Sequence, residues 1–269
     1  MTDKLDRLIE LLCEERGESV PALRDSEKWN FFRALVNVRM PIEASEEFLQ
    51  IQDEYLQEEL NRREITDISK LTPVSLSPDI YLWRGDITTL KCDGIVNAAN
   101  SQMLGCFCPN HHCIDNAIHT FAGVQLRLQC AEIIKAQGHE EPTGQAKITK
   151  AYNLPCKYVL HTVGPIVGVP ANVPVGGVIG GGLTERHEKL LESCYRSCLE
   201  LADKHGLQSI AFCFISTGEF HFPNKRAAEI AVDTVREYKQ QTRSKIKVIF
   251  NVFKECDYDI YSELLTADK

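Results

Sequence analysis

The first 70 residues carry apolar side chains at every third or fourth position, with charged residues between them. This spacing is typical of amphipathic helices. Three such stretches follow one another: the first places Leu5, Leu8 and Leu12 on one face, the second covers 29–36, and the third covers 44–63. We therefore predict three short helices. Because short helices bury little surface alone, we expect them to dock on the rest of the chain.

From about residue 71 the pattern changes to short runs rich in Val, Ile, Phe and Tyr, which alternate with helical stretches. Such runs suit buried strands. The predicted strands are 80–85, 94–99, 158–163, 209–216 and 246–253, and the predicted helices are 115–137, 185–205, 224–240 and 257–265. This alternation predicts an α/β protein with a mostly parallel central sheet. Ligands bind such sheets at the carboxyl ends of the strands.

Composition and charge exclude several classes of protein. The chain has 269 residues, 43% hydrophobic and 25% charged, as in an ordinary globular protein. The net charge is −8, and residues 1–70 hold 17 acidic against 10 basic side chains. The chain has no basic run, which argues against nucleic-acid binding. It has no apolar window that would span a membrane. Its charged N-terminal stretch lacks the apolar core and the cleavage site of a secretory signal, so we expect a cytoplasmic protein.

Eleven cysteines are present. An odd number in a chain expected to be intracellular predicts free thiols rather than a disulfide framework. Eight of them lie in or beside apolar stretches, and we expect these to be buried as small hydrophobic side chains. The other three are clustered in GCFCPNHHC at 105–113.

Polar residues follow three of the predicted strands. Asp86 comes after the first strand, where a carboxylate either accepts hydrogen bonds from an exocyclic amine or caps a turn. Asn97 and Asn100 end the next strand, where amides either contact a ligand or form a turn. After the fourth strand, the backbone N–H groups of residues 216–220 precede a helix and form a candidate anion site.

The glycine-rich stretch at 175–183 matches neither the Walker A spacing nor a GxGxxG fingerprint. We predict a mobile loop there and assign it no catalytic role. A phosphate cradle is the alternative interpretation.

Four motifs in a fixed order make the chain similar to a known family. The sequence resembles the macrodomain family in GDIT at 85–88, VNAAN at 96–100, HTVGP at 161–165 and ISTGEFHFP at 215–223. The resemblance covers about residues 74–265 and leaves 1–70 as an N-terminal helical extension. It implies a three-layer α/β/α sandwich with a mixed, mostly parallel central sheet. Macrodomains bind ADP-ribose, and some hydrolyse it from proteins.

The resemblance also implies which residues contact ADP-ribose. Asp86, with its neighbour Ile87, would hold the adenine amine, and Phe253 after the last strand would line the adenine face. Asn100 would contact the distal ribose. The diphosphate would lie on the loop formed by Ser216, Thr217, Gly218, Glu219 and Phe220.

Cysteine and histidine are dense just before the predicted helix at 115. Five of them fall within eight residues: Cys106, Cys108, His111, His112 and Cys113. Thiolates with imidazoles suit zinc, and a reactive thiol cluster without metal is the alternative. The stretch resembles the pattern GCFxPxHxCIDN of zinc-dependent macrodomains of bacteria and fungi, which implies Cys106, His111 and Cys113 as ligands of Zn²⁺. A fourth ligand from Cys108 would close the metal shell, whereas we expect it to stay open for catalysis.

The resemblance implies a zinc-dependent ADP-ribosyl hydrolase that removes mono-ADP-ribose from modified protein side chains, with an ester to Asp or Glu as the expected linkage. We expect Asn100 to position the ribose. Asp115 would orient the attacking water or stabilise developing charge, and a helix N-cap is its alternative role. We expect His119 to be packed and hydrogen-bonded to backbone rather than to act as a base.

The sequence leaves three other functions open. The protein could be a non-catalytic ADP-ribose-binding module with a structural zinc, an O-acetyl-ADP-ribose deacetylase, or a scaffold whose acidic helical front recruits a partner. By resemblance, the partners would include a sirtuin-type ADP-ribosyltransferase and a lipoyl-carrier protein.

Overall fold

The computed structural model describes residues 3–74, 77–168 and 182–266, so most of the glycine-rich stretch at 175–183 lies outside the described residues. The helices are α1 (Lys4–Arg16), α2 (Asp25–Val38), α3 (Glu46–Arg62), α4 (Ile114–Ala122), α5 (Val124–Gln137), α6 (Glu185–Lys204), α7 (Asn224–Thr242) and α8 (Glu255–Thr266). The strands are β1 (Thr66–Asp67), β2 (Ile80–Arg84), β3 (Leu90–Lys91), β4 (Gly94–Ala99), β5 (Ala146–Lys150), β6 (Tyr158–Val163), β7 (Ser209–Phe212) and β8 (Lys247–Val252). Within these ranges no helix is both long and apolar enough to cross a bilayer.

The central sheet has the strand order β2-β8-β7-β4-β6-β5 in the described part of the chain. Every neighbouring pair is parallel except β5 and β6, which pair antiparallel. Ile95 and Val96 of β4 point to opposite faces, and both are fully buried, because helices flank both faces of the sheet. The predicted sandwich with a mixed, mostly parallel sheet is confirmed. A separate short ladder joins β1 to β3.

Three details of the predicted elements were wrong. Strand β5 was missed because it lies at the sheet edge and carries Lys147 and Lys150 instead of an apolar run. The single helix predicted over 115–137 is two helices, because Gly123 between them has a φ of +99° that interrupts the helix. Strand β7 ends at Phe212, so a loop of residues 213–223 separates it from α7.

The N-terminal helices form where the sequence predicts them and pack around their own apolar cluster, which includes Leu8, Phe32 and Leu56. They dock on the rest of the chain, as expected, but much of the contact is polar. The side chain of Gln52 accepts a hydrogen bond from the first N–H of α5 at 2.9 Å. The buried guanidinium of Arg127 donates to the carbonyl of Val36 at 3.0 Å. We call these hydrogen bonds of Gln52 and Arg127, which join the N-terminal helices to α5, the polar seam.

All eleven cysteines are free. Seven of the eight that we expected to be buried are buried, and the expectation for Cys256 was wrong, because this residue is exposed near the start of α8.

Candidate active site

In the described part of the chain, five parallel strands end at one edge of the sheet, and the residues predicted to bind a ligand follow these ends. Asp86 follows β2, Asn100 follows β4, the loop at 216–220 follows β7, and Phe253 follows β8. Strands β2 and β4 are three positions apart in the sheet order, which corresponds to roughly 14 Å at normal strand spacing. This edge can therefore hold an elongated ligand.

Asp86 begins a 3₁₀ turn over Ile87–Thr89. Its Oδ1 accepts hydrogen bonds from the N–H and the hydroxyl of Thr88, at 2.9 and 2.7 Å. Its Oδ2 lies 3.4 Å from Nη1 of Arg63, and the side chain is 41% exposed. The structure thus shows the capping role, while the contact with a ligand amine stays a prediction. The side chain of Ile87 is buried in the core, so residue 87 can reach a ligand only through its backbone.

Asn100 shapes the start of the cysteine-rich loop. Its Oδ1 accepts from the N–H of Gln102 at 3.1 Å, and its Nδ2 donates to the carbonyl of Gly105 at 3.0 Å. Both ends of the amide are therefore used in turning the chain toward Cys106. The predicted contact of Asn100 with the distal ribose stays a prediction.

The structure brings together the three residues that the resemblance implies as metal ligands. The ligand atoms of Cys106, His111 and Cys113 all lie within 4.8 Å of one another, and the cysteine Sγ of Cys106 is 3.5 Å from Nδ1 of His111. All three are partly buried, whereas Cys108 and His112 are exposed and stand outside this cluster. Ligand atoms around a tetrahedral zinc lie about 3.4–3.8 Å apart, so the cluster fits this metal after small movements.

Cys113 also caps α4. Its Sγ accepts a hydrogen bond from the N–H of Asn116 at 3.4 Å. Asp115 is the second residue inside this helix, so the helix-cap role that we considered for it was wrong. Burial, with Cys106 nearby, raises the pKa of the Cys113 thiol. Metal binding requires the thiolate, which a bound cation would favour.

Asp115 is buried directly after the cysteine-rich loop and is 5% exposed. Asn97 donates to its Oδ1 at 2.7 Å. Burial raises the pKa of Asp115 to about 6, although the hydrogen bond from Asn97 opposes this shift. A carboxylate that titrates near neutral pH suits proton transfer at the site.

A buried polar chain continues behind Asp115. Asn97 lies 3.2 Å from Nδ1 of His161, and Nε2 of His161 is 2.9 Å from the hydroxyl of Thr149. Burial lowers the pKa of His161 to about 3. His119 is packed, as predicted, but neither ring nitrogen has a hydrogen-bond partner among the described residues, so the expected bond to backbone was wrong. Burial holds the pKa of His119 well below its usual range.

The loop at 216–220 has the features of an anion site. Within the described chain, the N–H groups of Gly218, Glu219 and Phe220 donate no hydrogen bond. Ser216 has a φ of +65°, and its buried Oγ has no partner there either. Successive free N–H groups in such a turn attract anions. The hydroxyl of Thr217, by contrast, is engaged with the carbonyl of Phe214 at 3.0 Å.

The two loops meet. Nε2 of His111 lies 3.6 Å from Oε1 of Glu219, which places the cluster of Cys106, His111 and Cys113 beside the candidate anion site. Asp86 and Phe253 lie at the β2–β8 side of the sheet, where the N–H of Gly85 donates to the carbonyl of Val252 at 3.0 Å. Phe253 is 78% exposed, so its ring is available to a planar ligand.

Several residues around the site were missed by the sequence analysis. The sequence analysis identified Asn97 as an amide at the end of a strand, but it did not predict the hydrogen bond from Asn97 to Asp115. Arg33 and Arg63 reach the site from the N-terminal helices, and their charges are ordinary in the sequence of an exposed helix face. No sequence signal identifies these two arginines.

The chain matches the family described as "Macro domain" over residues 96–231. It is 54% identical to a protein from Treponema medium named "Protein-ADP-ribose hydrolase", over 99% of this chain and all of that protein. It is 48% identical to a protein of the same name from Staphylococcus aureus strain MSSA476, over 98% of this chain and 96% of that one. The crystal structure of a Trypanosoma brucei macrodomain in complex with ADP-ribose is similar with a TM-score of 0.65 at 31% identity, over 87% of this chain and 94% of that chain.

Proposed function

The chain belongs to the Macro domain family, and we propose that it is a zinc-dependent hydrolase that removes mono-ADP-ribose from modified protein side chains. The observation that carries the proposal is the cluster of Cys106, His111 and Cys113 beside the buried Asp115, at the ligand-binding edge of the sheet. The names of the Treponema and Staphylococcus relatives support hydrolysis of protein-linked ADP-ribose as the reaction. The Trypanosoma complex supports ADP-ribose as the ligand.

The donor set supports a catalytic rather than a structural metal. Cys106, His111 and Cys113 would hold the zinc ion, and the exposed Cys108 and His112 are outside the cluster, so the fourth position would stay open. When bound, zinc supplies a Lewis acid that polarises a substrate oxygen or lowers the pKa of water.

Residues of the chain would carry out proton transfer and substrate binding. Asp115, with a pKa of about 6, would accept a proton from the attacking water or orient it, while Asn97 holds its carboxylate in place. Asn100 would position the distal ribose. The free N–H groups of 218–220 would bind the diphosphate, and Asp86 with Phe253 would hold the adenine.

We infer that the bond cleaved is an ester to Asp or Glu. A carboxylate leaving group departs as an anion at neutral pH, because its pKa is about 4, and so it needs no strong general acid. A glycosidic bond to an alcohol usually needs a pair of carboxyl groups. Asp115 is the one buried carboxylate beside the cluster in the described structure, which favours the ester.

The test is release of ADP-ribose from a protein that is mono-ADP-ribosylated on Asp or Glu, measured with and without a strong zinc chelator. Metal content is measured on the same samples, and a serine-linked substrate and O-acetyl-ADP-ribose serve as comparison substrates. We expect turnover of the ester-linked protein that chelation abolishes and zinc restores. Cys108→Ser is the control, with unchanged turnover.

Three other outcomes of this experiment would each point to a different function or mechanism. Tight ADP-ribose binding without turnover would identify a binding module with a structural zinc. Turnover that is indifferent to chelation would retain the hydrolase and remove the metal from the mechanism. Preference for O-acetyl-ADP-ribose would identify a deacetylase.

A further inference from the structure

One face of helix α2 faces the loop that holds the proposed zinc ligands Cys106, His111 and Cys113. Trp29, Arg33 and Asn37 are spaced by four residues, which places them in one row along the helix. The ring of Trp29 stacks on Phe121 of α4, with centroids 5.8 Å apart and planes 23° apart. Helix α2 therefore lies against the helix that follows the metal ligands.

Arg33 bonds to both ends of the segment 111–116, which contains His111 and Cys113. Its Nη2 donates to the carbonyl of His111 at 2.8 Å, and Nη2 and Nε donate to Oδ1 of Asn116 at 2.7 and 3.2 Å. Asn116 in turn donates its N–H to Sγ of Cys113 and its side-chain amide to the carbonyl of Cys108, at 3.4 and 3.1 Å. One guanidinium thus bonds the backbone of His111 directly and is connected to Cys113 through a single residue, Asn116.

Asn37 holds the same segment at a second point and is 1% exposed. Its Oδ1 accepts from the N–H of Asn110 at 2.9 Å, and its Nδ2 donates to the hydroxyl of Thr120 at 3.0 Å. Asn110 has a φ of +56°, a strained conformation that needs support from its surroundings. The carboxamide of Asn37 therefore fixes the turn that precedes His111.

We propose that Arg33 and Asn37 are positioning residues of the metal site, so that zinc affinity depends on the N-terminal helices. Cys106, His111 and Cys113 lie outside regular secondary structure, and the hydrogen bonds from α2 supply the order that a helix or strand would supply elsewhere. Groups that orient metal ligands typically contribute 10-fold to 100-fold in metal affinity. This inference rests on the zinc part of the proposed function.

The experiment measures the zinc dissociation constant of the full-length chain by competition with a chromophoric chelator. Arg33→Met removes the guanidinium but keeps an apolar stem, and Asn37→Ala removes the second contact. We expect each variant to bind zinc at least 10-fold more weakly than the wild type. Arg33→Lys keeps a positively charged donor group but not the planar fork, so its affinity should be intermediate.

Arg7→Met is the matched control, because Arg7 bonds Glu47, Glu10 and Glu14 within the N-terminal helices. Among the described residues it makes no hydrogen bond or ion pair to residues 106–116. Its zinc affinity should equal that of the wild type. Melting temperatures of the metal-free proteins show which variants are folded. If Arg33→Met does not fold, Arg33→Lys and Asn37→Ala decide.

Two results would overturn the inference, and they differ in what they imply. If the wild type binds zinc and the folded α2 variants bind it within twofold of the wild type, the positioning role fails and the proposed function stands. If the wild type itself binds no zinc, the inference fails together with the zinc part of the proposed function.

Discussion

The two loops that meet at the candidate site are held in different ways. The loop at 106–113 is fixed by side chains from outside it, Arg33 and Asn37 from α2 and Asn116 from α4. The loop at 216–220 is held mainly by its own backbone, for example by the bond from the N–H of Phe222 to the carbonyl of Ser216 at 2.9 Å. Its tip, with Gly218 and Glu219, is exposed.

The difference matches what each loop is proposed to do. Ligands of a metal must stand within a few tenths of an ångström of fixed positions, which requires support from outside the loop. A diphosphate is bound by N–H groups, and these must be free of other partners until the ligand arrives. We therefore expect substitutions in the first loop to affect the reaction and substitutions at the second to affect binding.

The largest effect should come from Cys113→Ser. The serine oxygen can still cap α4 but cannot supply a thiolate, so the helix is kept and the zinc is lost. We expect hydrolysis to fall at least about 1,000-fold, while the dissociation constant of ADP-ribose changes only a few-fold. Full hydrolysis by a metal-free Cys113→Ser protein would show that the first loop does not act through zinc.

Asp115→Asn should have the next largest effect. The amide oxygen can still accept the bond from Asn97, but the group can no longer take a proton. We expect kcat to fall by roughly 10²–10⁴, with unchanged zinc content and ADP-ribose affinity. The measurement is steady-state hydrolysis with metal analysis. An unchanged kcat would remove Asp115 from the mechanism.

Gly164→Ala should give the opposite pattern. A Cβ at Gly164 would lie 2.0 Å from Oγ and 3.3 Å from Cβ of Ser216, so Ser216 at the start of the second loop has to shift. We expect ADP-ribose to bind roughly 10-fold more weakly by calorimetry, at unchanged zinc affinity, which corresponds to about 1.4 kcal/mol. Gly182→Ala is the control, because no atom of a described residue lies within 4 Å of the added carbon. A lost zinc site in Gly164→Ala would contradict the separation of the two loops.

The smallest effect that we expect is on stability: the unfolding free energy should depend on pH through the buried residues His119, His161 and Asp115. His119 and His161 are neutral when folded and have lowered pKa values, so their contribution to stability is complete above pH 6.5 and is lost as the pH falls. Asp115, with its raised pKa of about 6, acts in the opposite direction. We expect the unfolding free energy of the metal-free protein to fall by roughly 1–2 kcal/mol from pH 7 to 5.5 in urea titrations.

Asp115→Asn removes the opposing group and should make this fall steeper. A fall that is unchanged in this variant would mean that Asp115 does not titrate as its burial implies.

The sequence could predict those parts of the site that are local in the chain. Cys106, His111 and Cys113 lie within eight residues, so their meeting in space requires only a compact loop. The positions of Asp86 and Asn100 follow from a general rule, because parallel strands end at a common edge. The predicted roles of these residues toward a ligand stay predictions.

What could not be predicted depends on contacts between distant elements. Arg33 meets His111 across 78 positions, and on an amphipathic helix it is indistinguishable from an arginine in solvent. Asn97 finds Asp115 only because β4 and α4 pack together. The break at Gly123 was missed because apolar spacing continues through it, and a single glycine within a helical pattern does not by itself fix an interruption.

The polar seam described above bears on how the protein folds. Without the N-terminal helices, the guanidinium of Arg127 and the first N–H of α5 would lose the partners that Val36 and Gln52 supply. Water would replace these partners, but a shortened chain that begins at residue 74 would also expose apolar surface that the helices cover, such as the ring of Phe121 beneath Trp29. It would therefore keep the whole central sheet and still be less stable. We therefore expect the N-terminal helices and the sheet to melt in a single cooperative transition in calorimetry, despite their two separate apolar clusters.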